Sequence, residues 1–133
     1  MHILVKSIGA ISIVAASFFI TLGVMDYMSH RCPQGTTTAL TRPFDKVAES
    51  GFAYAKALPN LDSVSDLPDA PTRSKLLVCE NNSPLGPMHS AHADIAKQGR
   101  GRYSHWNANL IFSASDNTDP NTNGRTYVVV QPR

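Results

Sequence analysis

The chain begins with its longest hydrophobic run. Residues 7–25 (SIGAISIVAASFFITLGVM) carry no charge. As a helix this run would span about 28 Å, close to the roughly 30 Å hydrocarbon core of a bilayer. Gly9, Ala10, Ser12, Ala15, Ala16 and Ser17 lie among Ile, Val and Phe, a mixture suited to close helix packing in lipid. The pattern predicts a single transmembrane helix retained as a signal anchor. A cleaved signal peptide fits less well, because its apolar region is usually about 7–15 residues and ends at a small-x-small site. Here the bulky Val24-Met25-Asp26-Tyr27-Met28 follows, and Ser29-His30-Arg31 before Cys32 does not suit a lipoprotein acceptor. Residues 1–6 would be a short cytoplasmic head, placing the rest of the chain on the extracytoplasmic side. Positive charges near the two ends of the run give no decisive bias.

Beyond the run the periods shorten. Residues 26–50 are polar and turn-rich, with Thr36-Thr37-Thr38, and read as a stalk that is in part open to helix. From Pro43, a residue suited to a first helical turn, Phe44, Val47, Ala48, Gly51, Ala55 and Leu58 share one helical face. The same stretch also reads as a strand from Gly51, with Phe52 and Tyr54 alternating against small residues, so residues 44–58 remain helix or strand. Pro59–Pro71 holds three acids and three prolines and reads as a loop. Strands are expected at Leu76–Cys79, Leu110–Ala114 and Thr126–Val130, and a turn or two of helix within Ser90–Gln98, closed by Gly99. The fold class is therefore an N-terminal transmembrane helix followed by a small mainly-β domain over residues 51–133, an antiparallel sheet or sandwich with long loops.

Charge narrows the partners. Charged residues make up only 17% of the 133, and from Asp26 onward eleven bases face ten acids. A near-neutral domain lacks the basic face that phosphate backbones require, so nucleic acid is not an expected partner. The two cysteines, Cys32 and Cys79, form either one disulfide in an oxidising compartment or two free thiols.

Three stretches carry candidate chemistry. Between His89 and Trp106 lie three histidines, and His89-x-x-His92 with His105 (or Asp94) presents a possible zinc set, though without His-Glu-x-x-His. The same segment reads more readily as an anion or sugar surface. Gly99-Arg100-Gly101-Arg102 lets backbone approach a ligand while two guanidinium forks face carboxylate, sulfate or phosphate, and Lys97 adds a third positive charge. Tyr103 and Trp106 offer rings for a sugar to stack on, with His105 as polar neighbour and Asn117 and Asp119 adjoining. Against this stands the ordinary fate of a lone Trp in a small domain, which is the core. The third stretch, Asp119-Pro120-Asn121-Thr122-Asn123-Gly124, opens like a calcium loop, but Val130 stands where the bidentate Glu belongs. Asn123-Gly124 reads instead as a hairpin turn between the last two strands. Ser90, His92 and Asp94 are too close in sequence to be taken as a triad, no Gly-x-Ser-x-Gly elbow occurs, and Gly99-x-Gly101 lacks a dinucleotide site's third glycine.

The order of these motifs over the last ~85 residues is more specific than any one of them. Arg73-Ser74 is followed by Glu80-Asn81, Leu85-Gly86-Pro87, His89, His92 and Asp94-Ile95. Then come Gly99-x-Gly101-Arg102-Tyr103-Ser104-His105-Trp106, Phe112-Ser113-x-Ser115-Asp116-Asn117-x-Asp119-Pro120 and Asn123-Gly124-Arg125. This resembles a small bacterial module of unassigned activity that accompanies methyltransferases and glycosyltransferases of surface-polysaccharide pathways. Asn82 and Asn107 stand where that pattern has Gly. The resemblance implies a saccharide setting and assigns no residue a role. The expected function is thus a membrane-anchored, non-catalytic domain recognising a glycan or anionic ligand. An accessory subunit of a larger membrane or polysaccharide-pathway enzyme is the first alternative, and a metal-dependent hydrolase using His89, His92 and His105 the second.

Overall fold

A computed structural model describes residues 31–47 and 51–133. The cytoplasmic head and the transmembrane helix expected at 7–25 lie outside the described residues. Among those described, no helix is long and apolar enough to cross a membrane. The folded unit runs from Cys32 to Arg133.

Two antiparallel four-stranded sheets make up this unit. The strands are β1 (Gly35–Ala39), β2 (Asp45–Lys46), β3 (Tyr54–Ala57), β4 (Leu77–Glu80), β5 (Ser83–Pro84), β6 (Tyr103–Trp106), β7 (Asn109–Phe112) and β8 (Tyr127–Pro132). One sheet has the order β1-β8-β4-β5, the other β2-β3-β7-β6. A 3-10 helix covers Pro59–Val64, and one short helix, α1, covers His92–Lys97. Gly99 ends the α1 segment at φ +61°, where a side chain would collide with Asn117 and Phe52.

The expected strands and the α1 turn are present, and within 44–58 the described residues form two strands, Asp45–Lys46 and Tyr54–Ala57. Tyr54 turns inward on β3, which pairs with β7 in the register Tyr54↔Phe112. The stalk needs correction, because its threonine run is a strand. Thr36, Thr37 and Thr38 pair with Gln131, Val130 and Val129. Their side chains remain exposed on an edge strand, so the hydrophobic pattern gave no sign of pairing. The hairpin expected at Asn123-Gly124 is a second correction. β7 and β8 belong to different sheets, so residues 113–126 cross from one sheet to the other.

Both sheets contribute to one core. Val78, Tyr127 and Val129 of the first meet Tyr54, Tyr103, Leu110 and Phe112 of the second, with Leu40, Phe44, Leu58 and Leu76 from the connections. Phe44 fixes the seam, its ring edge-on to Phe112 at 5.1 Å and to Tyr127 at 5.6 Å. Asn121 pins that segment from the crossover, its Oδ1 accepting from Phe44 N at 2.8 Å and its Nδ2 donating to Phe44 O at 3.0 Å. Cys32 and Cys79 form a disulfide, tying the chain ahead of β1 to the central strand β4.

Candidate functional site

The site grows from the free edge of β6. On its other side β6 pairs with β7, from Tyr103↔Phe112 to Trp106↔Asn109. Its open edge would leave backbone groups unpaired, and two loops cover it. Tyr103 N donates to Pro87 O at 3.2 Å and Ser90 N donates to Tyr103 O at 3.1 Å, while Asp66 N donates to His105 O at 2.8 Å. These backbone bonds bring His89 and Asp66, 23 residues apart in sequence, side by side.

Alternation along β6 then sorts its side chains between two faces. Tyr103 and His105 point into the core, both 2% exposed. Ser104 and Trp106 point the other way, where α1 packs with Ile95 fully buried. Between α1, the 87–92 loop and the 66–71 loop lies a cleft of about 450 Å³, lined by Asp66, Pro71, His89, His92, Ser104 and Trp106 among others. That volume falls within the range of small-molecule sites, roughly 300–1,000 Å³. Trp106 is half-buried, with His92 edge-on to it at 6.3 Å between ring centroids.

The polar wall of the cleft is built around Asp66, itself 1% exposed. Its Oδ2 meets His89 Nδ1 at 2.7 Å, and its Oδ1 accepts from Ser74 N at 2.8 Å. Ser74 Oγ in turn lies 2.9 Å from His105 Nδ1. His105 Nε2 is buried with no hydrogen-bond partner among the described residues, and burial pushes the His105 pKa down, favouring the neutral ring. His89 sits at φ +55°, a left-handed conformation uncommon for a residue with a side chain. Burial also holds the Tyr103 hydroxyl proton, with a pKa pushed up to about 12.

The structure divides the contact face expected from the sequence. Trp106 reaches the cleft, whereas Tyr103 and His105 are core residues on the opposite face of β6, a correction that follows from the two-residue period. Arg100 lies at the other end of β6 from Trp106. Its backbone N–H donates to Asn117 Oδ1 at 2.6 Å, and Arg102 Nη1 donates to Gly99 O at 3.0 Å. Asn117 therefore braces the turn after α1. Asp119 caps the crossover, accepting from Asn121 N at 2.8 Å. The oxygens of the calcium-like stretch are engaged in the same way, with Asn123 Oδ1 accepting from Arg125 N at 3.1 Å.

The three histidines are also separated. His89 and His92 border the cleft, while His105 is buried behind β6 and bonded to Ser74. Among the described residues no group of three His, Cys, Asp or Glu side chains is placed to hold a metal. Asp66 has no distinguishing sequence signal within an acidic loop. Only the pairing of that loop with β6 identifies it.

A second polar cluster is centred on Glu80, and none of its members lines the cleft. Its carboxylate accepts from Ser115 N at 3.1 Å, Ser115 Oγ at 2.6 Å, Tyr127 Oη at 3.0 Å and Arg125 Nη1 at 2.8 Å. Arg125 also grips Asp116 with both terminal guanidinium nitrogens, Nη1 and Nη2, holding that carboxyl far below the usual range. These contacts clamp the crossover onto β4.

Comparison with known proteins supplies no relative. No protein family, curated protein or solved structure matches the chain.

Proposed function

We propose that this domain binds a saccharide in the Trp106 cleft, held beside a membrane by residues 7–25 on the extracytoplasmic side. The observation that carries the reading is the half-buried Trp106 ring in a concave site with His89, His92 and Ser104. An indole face takes the apolar face of a pyranose, while imidazoles and hydroxyls meet its hydroxyl groups. Three features agree with this. The site is small with Ser104 and Trp106 of β6 on its wall, the Cys32–Cys79 disulfide suits an oxidising compartment, and the motif order resembles that of a module accompanying saccharide enzymes. Arg100 and Arg102, placed beyond the opposite end of β6, are left as flanking charge.

The test uses the full chain in detergent, with thermal shifts against neutral and acidic oligosaccharides. A ligand that binds only the folded state raises the melting temperature by mass action. A rise is expected with at least one oligosaccharide. Trp106→Ala should weaken that binding about tenfold or more while the variant stays folded, with Trp106→Phe between the two. Unchanged affinity in a folded Trp106→Ala protein would remove the indole from the site.

A further inference from the structure

The Asp66–His89 pair has a feature that saccharide binding alone does not use. Asp66 is 1% exposed and both its oxygens are engaged, one by Ser74 N and one by His89 Nδ1. A carboxylate only accepts, so Nδ1 is the nitrogen that carries the hydrogen, and in the neutral ring Nε2 holds a lone pair. Among the described residues Nε2 of His89 has no protein hydrogen-bond partner and is not fully buried, and the His89 side chain, 19% exposed, lines the cleft. The result is an imidazole base whose tautomer and orientation are fixed by a buried acid, with its basic nitrogen accessible beside an aromatic platform.

We propose that His89 is a general base and that the cleft hydrolyses a carboxylic ester carried on a saccharide hydroxyl. The sugar half of that substrate rests on the binding reading above; the base does not. Glycoside cleavage fits the site poorly, since it usually needs two carboxylates flanking the bond. The cleft lining holds one, Asp66, and it is already spent on His89 and Ser74. Ester hydrolysis needs a single base that can return its proton. Nε2 takes a proton from water as the water oxygen adds to the ester carbonyl. The tetrahedral intermediate collapses by breaking the bond between the acyl carbon and the sugar oxygen, and the proton on Nε2 passes to that oxygen. A carboxylic acid and a free sugar hydroxyl leave, and nothing is oxidised or reduced. Asp66 is a positioning residue in this scheme. In Asp66→Asn the amide can keep Oδ1 toward Ser74 N while its NH₂ faces His89 Nδ1. That arrangement places the hydrogen on Nε2 and removes the base without removing the ring.

The experiment measures acetate release by the full chain in detergent from p-nitrophenyl acetate and from an O-acetylated oligosaccharide, beside free imidazole at the same concentration. The expected result is turnover well above imidazole from both esters. His89→Gln should lower kcat by about 10²–10⁴-fold, and Asp66→Asn should lower kcat comparably at unchanged KM, both in proteins that still melt cooperatively. Nitrogen-15 shifts of the His89 ring supply a second readout, showing the hydrogen on Nδ1 in the wild type and on Nε2 in Asp66→Asn. A rate no greater than imidazole's, or one that survives His89→Gln, overturns the proposal. If oligosaccharide still binds at Trp106 in that case, the binding reading stands without it. Cleavage of the small ester through His89 with no action on the sugar ester supports the base and refutes the saccharide.

Discussion

Replacing Cys32 and Cys79 together by alanine lowers the stability of the domain by about 4 kcal/mol, as judged from the loop the disulfide closes. The bond joins positions 47 apart in sequence, so the unfolded chain regains the entropy of a long loop when it is removed. Cys79 is fully buried on β4, between β8 and β5, and alanine there also leaves a small void. Cys32 meanwhile anchors the approach to β1, its N–H donating to Asn82 O at 2.8 Å. For a domain of this size the loss corresponds to a fall in melting temperature of about 20 °C. Urea unfolding of the wild type with and without reductant should give a difference similar to that between wild type and double variant. A loss below about 1 kcal/mol would mean that the two sheets hold β1 without the covalent tie.

Glu80→Ala is expected to cost about 3 kcal/mol, the second-largest effect. The carboxylate is 7% exposed and is the common acceptor for Ser115 N, Ser115 Oγ, Tyr127 Oη and Arg125 Nη1. Removing it takes the acceptor from the Tyr127 O–H, which keeps the Asn123 Nδ2 donor, and leaves the Arg125 guanidinium with Asp116 as its remaining carboxylate partner, so the crossover loses its clamp on β4. Tyr127 reports on this directly. Its pKa is raised to about 12, first by burial, with Asn123 opposing and the Glu80 charge adding to the rise. The variant should therefore show a lower denaturation midpoint together with a Tyr127 hydroxyl that ionises more readily. Glu80→Gln, which keeps two acceptor lone pairs but not the charge, should fall between. An unfolding free energy within about 0.5 kcal/mol of wild type would contradict the clamp.

Particular residues explain what the sequence could and could not disclose. Val128-Val129-Val130 and Leu76–Cys79 announced strands because central strands bury both faces, and their apolar runs survive any choice of partner. Gly99 announced the end of α1 because that turn needs a left-handed residue with no side chain. β1 was hidden because an edge strand needs only backbone pairing, and three exposed threonines satisfy that as well as a stalk would. The hairpin at Asn123-Gly124 failed because a turn motif specifies a local reversal and not the sheet to which the next strand returns. Within the site, Trp106 and His89 were legible as residue types. Their faces were not, since Tyr103 and His105 differ from Ser104 and Trp106 only in strand parity. Asp66 became visible once its loop was seen bonded to the β6 edge.

Trp106 is the only tryptophan in the chain, so its fluorescence reports on the cleft without labelling. The most direct measurement is therefore an emission titration of the full chain in detergent against the oligosaccharide panel. A saturable change in Trp106 emission is expected with at least one oligosaccharide, at the concentrations that raise the melting temperature. An oligosaccharide that raises the melting temperature while Trp106 emission stays unchanged, or a panel that produces neither effect, would contradict it.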